Sequence, residues 1–458
     1  MDATVSPSGQ GDEDTAVNPL SIVRSPAYVQ ALVLAAIIGV PIAMVAYGFL
    51  ALVDWLQTAL FEDLPGTLGF DTVPVWWPLP LVTLSGLLVA LCIRSLPGNC
   101  GHSPSEGFKA GAPTLPIEIA GVLLAALASL ALGAVLGPEA PLIAIGSGLG
   151  GLAIRLVKKD APPNAIAIVA SAGSFVAIST LFGSPLLGAF LLMEVAGVGG
   201  AMLAVVLLPG LLASGIGFLV FVGLDSITGL GTFSLAIPDL PAFSSPTPAM
   251  LGWALVLGVG CPFLAWLIST LARSVRPLVH AHRLVVTPLL GAMVALLAIA
   301  FSEFSGNGTG FVLFSGQSAL PVLIDQSANW SVGALVLLIM CKSLGYGLSL
   351  SAFRGGPVFP SVFIGGALGI VASHLPGMSV VPGLAIGIGA MCVSMLKLPF
   401  TSVLLATVLL ASDSYAVMPL AIVAVVAGFV VTQWLPAPRG WFGEVAADGE
   451  LRPIPAAG

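Results

Sequence analysis

The chain has 458 residues, 57% of them hydrophobic and 8% charged, with a formal net charge of −7. So little charge cannot cover a soluble protein of this length, and the basic residues form no dense cluster, which excludes a nucleic-acid binder and leaves a polytopic membrane protein. Five scattered cysteines (Cys92, Cys100, Cys261, Cys341, Cys392) and four unclustered histidines argue against a disulfide framework or a metal site, and no cofactor is expected.

In chain order, the segment from Met1 to about Pro26 is polar and acidic, with no basic stretch ahead of an apolar core. Residues 1–27 therefore read as a disordered cytoplasmic tail and not as a cleaved signal. A membrane-crossing helix needs about 20 apolar residues. Runs of that kind follow at 28–60, 76–96, 115–136, 163–182, 200–222, 247–275, 285–301, 329–349 and 415–434. Between them stand shorter apolar pieces at 141–154, 185–195, 360–372, 382–396 and 399–411, interrupted by Pro and Gly. Half-spans survive in a bilayer only where protein or a watery cavity satisfies their loose backbone groups, so they predict a buried pathway. Residues 443–458 read as a short tail with no regulatory soluble domain. Arg94, the Arg155/Lys158/Lys159 group, Arg273/Arg277/Arg283 and Arg439/Arg452 mark loops expected to face the cytoplasm.

Two segments are copies of one another. GPEAPLIAIGSGLG (Gly137 to Gly150) and GPVFPSVFIGGALG (Gly356 to Gly369) match at seven of fourteen positions when laid without gaps at an offset of 219. A repeated element that opens with Gly-Pro and continues as a helix marks a discontinuous membrane helix in a repeat-built transporter. The first copy carries Glu139 where the second has Val358, and that acid, deep in apolar surroundings, reads as the working group. The plainer reading is a carboxylate that only caps its helix. His102 sits in a Gly-rich turn, where it either meets an anion or bonds a loop carbonyl, and Ser302 to Gly310 reads as a connecting loop. Asp54 and Asp413 read as interface or loop charges.

Four stretches in order, GHSPSEG (Gly101 to Gly107), GPEAP (Gly137 to Pro141), SPLLGAFLLME (Ser184 to Glu194) and GGPVFP (Gly355 to Pro360), resemble the signature segments of the CLC family of chloride channels and chloride/proton exchangers. The resemblance covers roughly residues 28–442. It implies an all-α polytopic membrane protein of the plasma membrane with two inverted-topology repeats, about 28–222 and 247–442, joined by Pro238 to Pro248. It also implies a homodimer in contact through the helices near 185–222 and 399–434, with one anion pathway per subunit. Half-helices starting near Ser103, Glu139 and Val358 are expected to converge, each offering free N–H groups and about half a positive charge. Full positive charges are expected to be absent from these openings, since Arg or Lys would hold chloride too tightly for throughput.

By that resemblance Glu139 is the gating glutamate: ionised it fills the anion site, and protonated or displaced it opens the path and can carry a proton. Anion-binding positions carry over to Gly101, His102, Ser103, Val358, Phe359 and Trp441. Several depart from the family pattern. Glu139 is flanked by Pro138 and Ala140, Gly101 stands where the family has a serine, Pro357 has no N–H to give, and Trp441 takes the place of a tyrosine. A weaker central anion site is the expectation. At the internal proton site, Glu194 is followed by Val195 where many exchangers have a second glutamate. That favours channel-like or weakly coupled chloride/proton transport. A strict antiporter and a different inverted-repeat transporter remain open; Glu118 or Glu194 could load protons, or Glu194 is paired structurally. No motif suggests an enzyme. The expected partners are chloride, a proton, the lipid bilayer and a second copy of the chain.

Overall fold

The computed structural model describes residues 22–107, 114–197, 202–233, 240–241, 243, 245–410 and 414–438, with short pieces at 444–445 and 451–452. In chain order its helices of ten residues or more are α1 (Pro26–Thr58), α2 (Pro78–Ser95), α3 (Ile119–Leu130), α4 (Glu139–Val157), α5 (Pro163–Leu181), α6 (Pro185–Ala196), α7 (Met202–Thr228), α8 (Pro248–Ala281), α9 (Arg283–Ser305), α10 (Val332–Ala352), α11 (Val358–Ser373), α12 (Val380–Leu396), α13 (Pro399–Val408) and α14 (Ser414–Trp434). The two-residue strands Glu444–Val445 and Leu451–Arg452 pair antiparallel beside this helical body. The tail over 1–21, Asp413, Trp441 and residues 238, 239, 242 and 244 of the Pro238 to Pro248 connection lie outside the described residues.

Local chemistry sets most helix starts. Proline, with its fixed φ and missing N–H, opens α1, α2, α5, α6, α8 and α13. Hydroxyls of Ser25, Ser184, Thr247 and Ser331 accept the free N–H of Tyr28, Leu187, Met250 and Ala334 at the heads of α1, α6, α8 and α10.

Two elements differ from the expectations. The apolar run 115–136 contains only α3, because Gly133 adopts a φ of 100°, a left-handed conformation that ends helical progress before the Gly137-Pro138 opening. Near Ser103 there is no half-helix among the described residues, only a 3-10 turn over Pro104–Glu106 held between Gly101 (φ 88°) and Gly107 (φ 86°). Both glycines supply a backbone conformation that side chains with a Cβ resist.

The duplication is visible in the packing. α1 packs on α5 and α7, and α8 packs on α12 and α14; α6 touches α5 and α7, and α13 touches α12 and α14. α4 lies along α5 as α11 lies along α12. In the first pair Gly146 meets Gly173, and in the second Gly365 meets Gly387, so close that a Cβ at any of the four would strike the opposite backbone. Small residues let membrane helices approach to that distance. The halves join through α2 on α9 and α6 on α13. Large apolar side chains such as Val33, Ile37, Leu255 and Leu267 stay exposed on α1 and α8, the outer face that lipid covers.

Candidate anion site

The two Gly-Pro openings meet face to face. Gly137 N–H donates to Gly356 O at 2.8 Å, and Gly356 N–H donates back to Gly137 O at 2.6 Å, an antiparallel bridge between the repeats. Around it the cross-bonds are reciprocal. Val135 N–H donates to Ser349 Oγ at 3.1 Å and Arg354 N–H donates to Ser129 Oγ at 3.0 Å, and Val135 and Arg354 occupy equivalent places at the repeat offset. A two-fold pairing of this kind aims the N-termini of α4 and α11 at one place.

Glu139, the first residue of α4, is fully buried there. Its Oε1 accepts from Phe359 N–H of α11 at 2.7 Å, and the N–H groups of Val358 and of Glu139 itself also act on the carboxylate. Its Oε2 is buried with no hydrogen-bond partner among the described residues. The carboxylate lies against Gly137 and Gly356, where a Cβ would overlap it, so glycine at both positions makes its seat. The Phe182 and Phe359 rings stack at 5.5 Å beside this point. A carboxyl group held at a helix N-terminus with one oxygen still lacking a donor among the described residues occupies a place that favours an anion.

A cavity of about 1670 Å³ reaches the site from one side. Gly101, His102 and Ser103 line it, as do Ala140, Pro141, Gly355 and Pro357 from the two openings. Ser103 Oγ shares a hydrogen bond with Ser105 Oγ at 2.9 Å, and His102 is exposed. The structure thus brings Glu139, Val358 and Phe359 into contact, and sets Gly101, His102 and Ser103 on the wall of the adjoining cavity.

Glu194 is elsewhere and occupied. Its carboxylate accepts from Phe400 N–H (3.0 Å), Thr401 N–H (2.9 Å) and Thr401 Oγ1 (2.7 Å), which caps α13 across the two halves. Val195 beside it is apolar and half-buried. Glu118 accepts from Leu115 N–H at 3.2 Å within its own turn.

The sequence reading passed over three groups near the openings. Tyr346 of α10, fully buried, donates to Pro357 O at 2.9 Å, and Ser361 Oγ donates to the same carbonyl at 2.7 Å, which fixes the head of α11. Lys342, also fully buried, donates to the carbonyls of Phe311, Val312, Leu313 and Phe314 at 3.0, 3.2, 3.1 and 3.4 Å and lies 4.3 Å from the Phe363 ring centre. A lysine in mid-span is signal enough to have found it. Arg354 corrects the expectation that the openings carry no full charge, because it is 8% exposed and lines the cavity immediately before Gly355.

Known proteins resemble the chain in sequence and in fold. The chain is 28% identical over 356 residues to the putative ion-transport protein YfeO of Escherichia fergusonii, covering 74% of this chain and 78% of that one. It is 27% identical over 352 residues to the YfeO protein of Escherichia coli strain K12, with the same coverage. Among solved structures, a slow cyanobacterial Cl−/H+ antiporter superposes with a TM-score of 0.69 at 19% identity, over 89% of this chain and 95% of that one. A CLC-type fluoride/proton antiporter superposes at 0.65 and 16% identity, over 91% and 99% of the two chains. The family model described as voltage gated chloride channel matches residues 112–432, which take in both Gly-Pro openings and Glu139. The chain therefore belongs to the voltage gated chloride channel family, as a multi-pass integral membrane protein with the CLC fold.

Proposed function

We propose that the chain carries chloride across the membrane through the meeting point of α4 and α11, with Glu139 as its gate. The observation that carries this reading is the 2.7 Å bond from Phe359 N–H to Glu139 Oε1. That N–H belongs to the free first turn of α11, so the carboxylate stands where a dehydrated halide would find donors without a full charge. Protonation removes its negative charge and weakens its hold on the helix N-terminus, which leaves the donors for an anion. Gly101, His102 and Ser103 line the approach, and Val358 and Phe359 supply the donors at the crossing. With Pro357 unable to donate, two N–H groups serve where three would be stronger.

Channel-like or weakly coupled transport is the favoured mode. Glu194 is committed to the head of α13 and Val195 cannot hold a proton, so neither residue offers a ready internal proton station. A homodimer is the proposed assembly, with α6, α7, α13 and α14 as the contact surface; Leu186 and Phe400 expose apolar side chains there. The deciding experiment is chloride flux from liposomes holding the full chain, at clamped voltage and stepped external pH, with proton movement recorded alongside. Glu139→Gln is expected to give flux that no longer responds to pH and moves no protons. Parent-like gating in that variant overturns the role of Glu139, and proton uptake at a fixed ratio in the parent establishes strict exchange.

A further inference from the structure

Arg354 and Arg283 line the cavity, and neither makes an ion pair among the described residues. Arg354 donates through Nε and Nη2 to Asn99 O at 3.3 and 3.1 Å and through Nη1 to Phe353 O at 3.2 Å. Every one of these partners is a neutral carbonyl, so the charge is held in place without being neutralised. Asn99 and Cys100 adopt positive φ values of 50° and 57° where the chain presents that carbonyl. Arg283, the first residue of α9, has a buried Nε with no hydrogen-bond partner among the described residues. It lines the same cavity as Arg354, which feels its charge along with those of Arg276 and Glu106. Glu106 is bonded to Arg276 at 2.5 Å, and Glu118, on the same wall, bonds the Leu115 N–H. Two like charges in a partly dehydrated space, with the nearby acids engaged, are costly unless an anion joins them. The repeat gives no structural reason for the charge, because the equivalent of Arg354 is Val135.

We propose that Arg354 and Arg283 together bind a monovalent inorganic anion of chloride size in the cavity, one step before the Glu139 crossing. The site rests on the chloride-path reading for its purpose. The cavity wall that holds both arginines also includes Ala140, Pro141, Gly355 and Pro357, so an anion there stands next to both helix openings. Full charges belong at this position and not at the crossing: they raise the local anion concentration, while the dipole-lined crossing stays weak enough to release. Guanidinium suits the task because it is planar, always charged and more weakly hydrated than an ammonium.

The test uses bromide as the probe on the full chain. Anomalous diffraction from crystals grown in bromide is expected to show a peak between Arg354 and Arg283. Arg283→Gln is expected to abolish the peak and lower chloride flux about tenfold at low chloride, with recovery at saturating chloride. Arg283→Lys, which keeps the charge, is expected to restore part of the flux. A parent that moves chloride but shows no bromide at the arginines sinks this site and leaves the Glu139 reading standing. A parent that binds bromide there but moves no chloride does the reverse. Should Arg283→Gln fail to fold, the bromide map of the parent decides alone.

Discussion

The segments 137–150 and 356–369 share a backbone plan and differ in the charges they carry. The first presents a carboxylate, Glu139, at its opening; the second presents backbone N–H groups, with Phe359 N–H donating to that carboxylate, and is preceded by a buried guanidinium, Arg354. Each charge faces an apolar counterpart in the other copy, Val358 for Glu139 and Val135 for Arg354. The difference teaches that the two copies keep a symmetric frame of paired glycines and reciprocal hydrogen bonds, while the charged residues break the symmetry at a few positions.

The largest expected effect comes from another asymmetric residue. Lys342 stands where the first half has Leu123, and Lys342→Met strips a buried donor from four carbonyls. The loss is expected to be about 3 kcal/mol or more, against less than about 1.5 kcal/mol for Leu123→Met. Thermal unfolding in detergent compares them, and equal losses would mean that the lysine is not what ties residues 311–314 to α10.

A middle-sized effect tests the glycine seat. Gly356→Ala drives a Cβ into the Glu139 carboxylate and is expected to cost about 1–3 kcal/mol. Most of that cost should vanish in a Glu139→Ala background, since the clash is with the side chain. An unchanged cost in the double variant would place the strain in the backbone bridge instead.

The smallest effect concerns the reciprocal bonds. Ser129→Ala and Ser349→Ala each leave a buried N–H, of Arg354 and of Val135, without its acceptor, and each should cost about 1 kcal/mol. Matching losses support a shared symmetric frame. A tolerated change on one side alone would show that one repeat carries the other.

Much of the fold was legible because a bilayer removes alternatives. The runs at 28–60, 76–96, 163–182 and 329–349 correspond to α1, α2, α5 and α10, since lipid admits only helices with internally satisfied backbones. The Gly-Pro repeat located α4 and α11 to within a few residues, because Pro and Gly act on the backbone locally. The stretch after Ser103 was less legible: its residues suggest a helix start, but a turn needs the same glycines. Arg354 was missed because nothing in GGPVFP or its neighbours records what surrounds a side chain after the halves close.

By itself the sequence determined that the chain enters a membrane, that its halves descend from one unit, and that an acid opens one of two matched helices. Hydrophobic length and proline placement act within a few residues, so they survive as pattern. Only the tertiary structure decided that Phe359 N–H meets Glu139, that Glu194 caps a helix in the opposite half, and that Arg354 and Arg283 line one cavity. Those pairings join residues up to 220 positions apart, and Coulomb and hydrogen-bond energies depend on distances that no linear pattern holds.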